Sequence, residues 1–358
     1  MPRLPFCLIL AFAAACEVVP KAGEKQDTST VIPTVPVDSA RIDSVISGVP
    51  AVPPDSAAAL RTVSDSAALL LLPAQPRRGG VLFVLARGLV AEMPRCSWKG
   101  APLPCYRTDE GIRATVPLPA DDPAGVFTLT IDRPGGGARI TRQVAVADHD
   151  FGREIIFLDQ DNYKLVTQTS EIAREARALL QVMSAETPQQ RWAGKWRDPV
   201  QSSNRGSAYG IERFYYPASD STRSISLGAT LRTRGAFGSD TSTTRASGAP
   251  GWRHAGIDIP VKRGTPVRAP AAGVVTEVGA FLLSGQTVVL DHGHGVHTAY
   301  FHLDSTSVRK GDAVRAGGLL GLVGASGLAT GSHLHYGVYV HGRDVDPAAW
   351  IEGLGIRD

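Results

Sequence analysis

Two stretches of this chain, Gly80 to Ala147 and Gly251 to the C-terminus, are built of short apolar runs broken by glycine and proline turns. Val81-Leu82-Phe83-Val84-Leu85 reads as a buried strand, and Phe127-Thr128-Leu129-Thr130-Ile131 alternates as a half-buried strand does. The turn signals Asp121-Asp122-Pro123-Ala124-Gly125 and Pro134-Gly135-Gly136-Gly137 bracket the second run. In the later stretch, Val274-Val275 and Val288-Val289-Leu290 supply strand centres between glycine turns. The expected fold is therefore mainly β, in two units. The first is a small Ig-like β-sandwich at 77–150. A connector at 151–204 carries a helix at 170–184, with Ser170 as cap and Ile172, Ala176, Leu179, Leu180 and Met183 on one face. Trp192 and Trp196 then serve as packing anchors for the unit that follows. Residues 217–250, rich in Ser, Thr, Gly and Ala, are expected to form a long mobile loop.

The N-terminal segment is of a different kind. Arg3, an apolar run from Phe6 to Phe12 and Ala13-Ala14-Ala15 before Cys16 make an export signal at 1–15, with an apolar stretch too short to span a bilayer. Small residues followed by Cys resemble a lipobox, which would make Cys16 a lipid anchor in the outer membrane. Ala13 stands where Leu is usual, so cleavage by ordinary signal peptidase and release into the periplasm is the other reading. Residues 16–76 are a Ser/Thr/Asp/Ala/Pro-rich disordered tether with an apolar interruption at Leu69–Leu72. In an oxidising compartment the remaining cysteines, Cys96 and Cys105, are expected to pair. Lys and Arg number 37 against 34 Asp and Glu, a balance that argues against nucleic acid as a partner.

Eight of the nine histidines fall between His254 and His341, in a region where basic and acidic residues balance. Three motifs stand out: His254-Ala-Gly-Ile-Asp258, Tyr300-Phe-His302-Leu and His333-Leu-His335. Catalytic zinc takes imidazole nitrogen and carboxylate oxygen from three residues and keeps a fourth position open for water. On a strand, His333 and His335 point into the same cleft. One can bind metal while the other stands beside the water, and His254 with Asp258 completes a two-His, one-Asp set. His292 and His294, in an Asp-His-Gly-His-Gly turn, are expected to be exposed, and His297 to lie on the outer strand face. Tyr300 is expected to pack, Asp304 and Asp346 to serve turns, and Trp252 either to line the groove or to close the core.

These motifs sit in longer blocks, HAGIDIPVKRGTPVRAPAAGVV (254–275), VVLDHGHGVHTAYFHL (288–303) and the glycine-rich 308–350, that resemble the M23 (LytM/lysostaphin-type) peptidases. RGSAYGIERFYYP (205–217) is similar to the segment that opens that domain. The resemblance implies an M23 domain at 205–350 with an insertion at 217–250, folded as an antiparallel β-sheet whose narrow groove holds one Zn2+ per catalytic domain. It implies His254, Asp258 and His335 as zinc ligands, and His302 and His333 as catalytic histidines flanking the bound water. We expect His333 to orient or deprotonate that water and His302 to serve the oxyanion. The implied activity is that of an exported zinc endopeptidase cutting peptidoglycan cross-links, at the D-Ala–meso-diaminopimelate bond in a Gram-negative envelope. The alternatives are a non-catalytic LytM-type activator, partner of cell-wall amidases, and a wall-binding structural protein. Loss of a ligand would favour the activator, and all five site residues are present.

Overall fold

The computed structural model describes residues 69–87, 92–132, 139–220 and 251–353. The expected signal segment, Cys16 and most of the tether and of the 217–250 insertion lie outside the described residues.

The first eight strands are β1 (Leu69–Leu72), β2 (Val81–Ala86), β3 (Arg95–Trp98), β4 (Ala101–Leu103), β5 (Cys105–Thr108), β6 (Gly111–Pro117), β7 (Gly125–Asp132) and β8 (Ile140–Val146). They form two four-stranded antiparallel sheets, in the orders β1-β2-β6-β5 and β4-β3-β7-β8. Leu82, Val84 and Ala86 from one sheet meet Trp98, Leu129, Ile131 and Val144 from the other in one apolar core. Cys96 and Cys105, one from each sheet, form a disulfide. Leu69–Leu72 belongs to this unit rather than to the tether: it pairs antiparallel with β2 from Leu69↔Ala86 to Leu72↔Phe83. A run of four leucines gains more by covering a sheet edge than by staying in water.

Strand β2 is buried at every position because both of its faces are covered. Leu82 and Val84 face the sandwich core, while Val81 and Phe83 join a second core built mainly from the C-terminal sheet. Phe83 meets Trp350 edge-on, with ring centroids 5.2 Å apart. Trp192 and Trp196 pack on the same Trp350 at 5.9 and 4.7 Å, as anchors for the C-terminal unit.

The connector holds more regular structure than its sequence suggested. Strand β9 (Arg153–Leu158) runs parallel to β10 (Glu212–Pro217), which pairs antiparallel with β11 (Gly251–Arg253). A short helix, Gln160–Val166, is capped by Asp159, whose side chain accepts from the Asn162 amide. The expected helix spans Thr169–Met183, so Ser170 lies inside it and Gln168 stands at the cap without a side-chain bond. Its Leu179 and Met183 pack on Val289, Ala299, Phe301 and Tyr339.

The C-terminal strands are β12 (Ile257–Pro260), β13 (Pro266–Arg268), β14 (Gly273–Phe281), β15 (Gly285–Gly293), β16 (Val296–Thr306), β17 (Ala313–Val314), β18 (Leu319–Val323), β19 (His333–Val340) and β20 (Arg343–Val345). They form a nine-stranded antiparallel sheet with the central path β12-β19-β16-β15-β14-β17. The fold class is mainly β, as the patterning required. Among the described residues no helix is long and apolar enough to cross a membrane.

Candidate metal centre

Strand register assembles the centre. Asp258 on β12 lies opposite His335 on β19, and His335 lies opposite Phe301 on β16. His333 and His335, two positions apart on β19, both turn toward β12. His333 Nε2 is 3.7 Å and His335 Nδ1 3.0 Å from Asp258 Oδ1. His254 follows β11, and its Nε2 is 3.0 Å from both Asp258 Oδ1 and His335 Nδ1. Three donor atoms thus form a triangle with 3.0 Å edges in a buried setting.

The protonation pattern shows what this triangle can hold. His254 Nδ1 donates to the Ala208 carbonyl at 2.7 Å, so in the neutral ring it is Nε2 that carries the lone pair. Asp258 Oδ1 is an acceptor, and burial, which pushes its carboxyl up, is outweighed by His254 and His335, which hold it well below the usual carboxylate range. Burial pushes the His335 imidazole down to about 4, so this ring is neutral at pH 7. With both imidazoles neutral, at most one proton, on His335 Nδ1, can lie among the three atoms. A cation satisfies all three at once, and two imidazole nitrogens with one carboxylate oxygen are the donor set zinc accepts. The residues present therefore fit the metal.

Two further imidazoles complete the arrangement. His302 Nδ1 donates to the Ser326 carbonyl and His333 Nδ1 to the Gly331 carbonyl, each at 2.8 Å. In the neutral form each ring then presents Nε2 as an acceptor, and the two rings are 4.7 Å apart. Burial, then the neighbouring His333 and His335, push His302 down to about 3. His302 holds a left-handed backbone, φ 61°, beside a register shift on β16. A non-glycine residue in that region costs of order 1–3 kcal/mol and recurs at functional sites. Sequence alone carried no signal for it.

Two hollows meet at these residues. An apolar one is walled by Ala176, Leu179, Trp252, Phe281 and Phe301 beside His254 and His302. A more open groove runs between Glu154–Leu158 of β9 and Thr330–His333. Trp252 therefore lines the site, with its ring 4.6 Å from Tyr215.

Two expectations for the other histidines are corrected. His292 and His294 are buried rather than exposed, and His297 is buried as well. Residues 187–191 cover their turn: Arg191 N donates to the His292 carbonyl at 2.9 Å and His294 N to the Thr187 carbonyl at 2.6 Å. Tyr106 of β5 stacks on His294 at 4.1 Å. Tyr300 is fully buried, as expected of a packing residue. Asp304 pairs with Arg263, and Asp346 Oδ1 accepts from the Ala348 amide at 3.0 Å.

Residues 252–347 match the model of peptidase family M23. These residues are an M23 peptidase domain. Over 99 residues the chain is 44% identical to the DD-carboxypeptidase/endopeptidase Mpg of Neisseria meningitidis, covering 27% of this chain and 23% of that protein. Over 93 residues it is 41% identical to the peptidoglycan DD-endopeptidase ShyA of Vibrio cholerae, covering 26% and 22%. The chain thus matches less than a quarter of the length of these relatives. A solved Pseudomonas aeruginosa structure described as a peptidase M23 aligns over 78% of this chain and 96% of its own, with TM-score 0.53 and 25% identity.

The main chains of two of the three donor residues are held from outside the matched segment. His254 N donates to Ile211 O and its carbonyl accepts from Gly210 N, both at 2.8 Å. Asp258 N donates to Ser207 O and its carbonyl accepts from Gly206 N, at 2.9 and 2.8 Å. Arg213 of β10 donates from Nη2 to Asp258 Oδ2 at 2.6 Å. The one hint in the sequence was the charged pair Glu212-Arg213 running straight into the aromatic run Phe214–Tyr216, since a buried arginine needs a carboxylate.

Proposed function

We propose that this protein is an exported zinc endopeptidase that hydrolyses peptide cross-links of peptidoglycan, at the D-Ala–meso-diaminopimelate bond. The observation that carries the reading is the convergence of His254, Asp258 and His335 on one point, with two further imidazoles, those of His302 and His333, beside them. The names of the relatives, a DD-carboxypeptidase/endopeptidase and a peptidoglycan DD-endopeptidase, support the substrate class. The complete set of five residues favours catalysis over an amidase-activating role. The signal-like N-terminus supports export, to the periplasm or to the outer membrane through Cys16. The sheet orders β1-β2-β6-β5 and β4-β3-β7-β8 support an Ig-like sandwich for the N-terminal unit.

His254 Nε2, Asp258 Oδ1 and His335 Nδ1 would hold the zinc, which when bound lowers the pKa of a coordinated water to about 7 and polarises a carbonyl. His333 Nε2, the lone pair beside Asp258, accepts the proton of the attacking water and later returns one to the leaving amine. His302 also presents Nε2 as an acceptor, because its Nδ1 proton is committed to Ser326. It can therefore support the oxyanion only after taking up a proton at Nε2. The apolar hollow beside Phe281 and Phe301 excludes water on one side of the reacting carbonyl, and the groove along β9 leaves room for an extended peptide.

Digestion of defined cross-linked muropeptides with mass detection, with and without a chelator, tests the reading. The expected result is cleavage at the D-Ala–meso-diaminopimelate bond that the chelator abolishes and zinc restores. No cleavage by zinc-loaded protein would overturn it.

A further inference from the structure

Asp258 has two carboxylate oxygens, and the structure uses them differently. Oδ1 faces His254 and His335, each at 3.0 Å. Oδ2 accepts from Arg213 Nη2 at 2.6 Å, and the Arg213 side chain is only 13% exposed. Arg213 is held in turn by β9: its Nε donates to Glu154 Oε2 at 3.1 Å, and Arg213 and Glu154 are register partners in the parallel β9–β10 pair. Ser207, whose carbonyl holds the Asp258 amide, donates its hydroxyl to the same Glu154 oxygen at 2.9 Å.

We propose that Arg213, fixed by Glu154, is a positioning residue that occupies Oδ2 and so makes Asp258 a one-oxygen ligand, leaving a coordination position of the metal free for water. The inference rests on the zinc reading above and adds two residues that lie outside the M23-matched segment. The donor set at 252–347 is then incomplete without β9 and β10. The physical reason is that a carboxylate with both oxygens free can chelate through both. A guanidinium committed to one of them removes that option while keeping the group ionised. Partners of this kind typically change metal affinity 10–100-fold when lost.

The test uses the full chain. Zinc affinity is measured by chelator competition for the parent, Arg213→Met, Arg213→Lys and Glu154→Gln, with folding followed by circular dichroism. The visible spectrum of each cobalt-loaded protein reports coordination geometry independently of activity. Arg213→Met is expected to change zinc affinity at least 10-fold and to shift the cobalt bands toward a higher coordination number, Arg213→Lys to recover part of both, and Glu154→Gln to show a smaller change in the same direction. Parent-like zinc affinity together with a parent-like cobalt spectrum in folded Arg213→Met would overturn the assignment. If Arg213→Met does not fold, Glu154→Gln decides, since a parent-like affinity and spectrum there would break the relay. A parent that takes up no zinc overturns the zinc reading itself, and this proposal with it.

Discussion

Asp258 and His335 face each other across adjacent antiparallel strands, with Oδ1 3.0 Å from Nδ1, although 77 positions separate them in the chain. The pair exists only when β12 and β19 are in register, and a one-residue slip would turn Asp258 to the opposite face. The donor set therefore reports correct folding of the sheet.

Replacing His254, Asp258 or His335 with Ala is expected to abolish zinc binding and hydrolysis together. His302→Ala and His333→Ala should retain zinc while activity falls by roughly 10²–10⁴-fold, the usual loss for an acid–base group. Metal content by atomic emission, set against muropeptide turnover, checks this. A His302→Ala variant as fast as the parent would remove that residue from the mechanism.

Gly256 lies between His254 and Asp258, where a Cβ would meet Tyr336 O at 2.4 Å and His335 Nε2 at 2.7 Å. Gly256→Ala should therefore displace the His335 ring, cost about 1–3 kcal/mol as overpacking does, and weaken zinc binding. Gly331→Ala, where a Cβ would meet nothing within 4 Å, is the matched control and should behave as the parent. Thermal unfolding with and without zinc separates the two effects.

Burial pushes His292 and His294 down to about 4. The folded value lies below the unfolded value of about 6.5, so the unfolded chain binds more protons in that interval. The stability these buried neutral rings contribute is fully present above pH 6.5 and is lost as pH falls toward 4. Asp344, raised to about 6 chiefly by burial, works in the opposite direction and blunts the slope. His294 has φ 55°, a conformation Asn tolerates, so His294→Asn should flatten the decline of Tm between pH 6.5 and 4. An unchanged pH slope would show that His294 does not titrate as assigned.

Phe83 joins the sandwich to the M23 domain through Trp350, and it is 7% exposed. Phe83→Ala should cost about 3–5 kcal/mol, the usual range for a buried aromatic. Calorimetry should show a lowered Tm, and a splitting of the transition if this contact couples the two units.

Much of the site was legible in the sequence because its spacing is local. His333 and His335 must share a strand face at two-residue spacing, and β19 extends through both. The Val/Ile/Leu runs and glycine turns announced the sheets for the same reason. The connector was read less well. Arg153–Leu158 was not recognised as a strand, and its parallel partner lies more than fifty positions away, beyond any local period. The turn at His292 and His294 carried the composition of an exposed loop, yet Tyr106 and residues 187–191 cover it.

The sequence by itself determined the mainly β class, the order of the units and the residue types of the donor set, because backbone periodicity and side-chain chemistry act over a few neighbouring positions. Tertiary structure alone decided that Asp258 divides its oxygens between two histidines and Arg213. It also decided that His302 is held in a left-handed backbone and that three further histidines are buried and neutral. Those outcomes depend on strand register and on contacts between segments distant in the chain, which exist only once the sheets have packed.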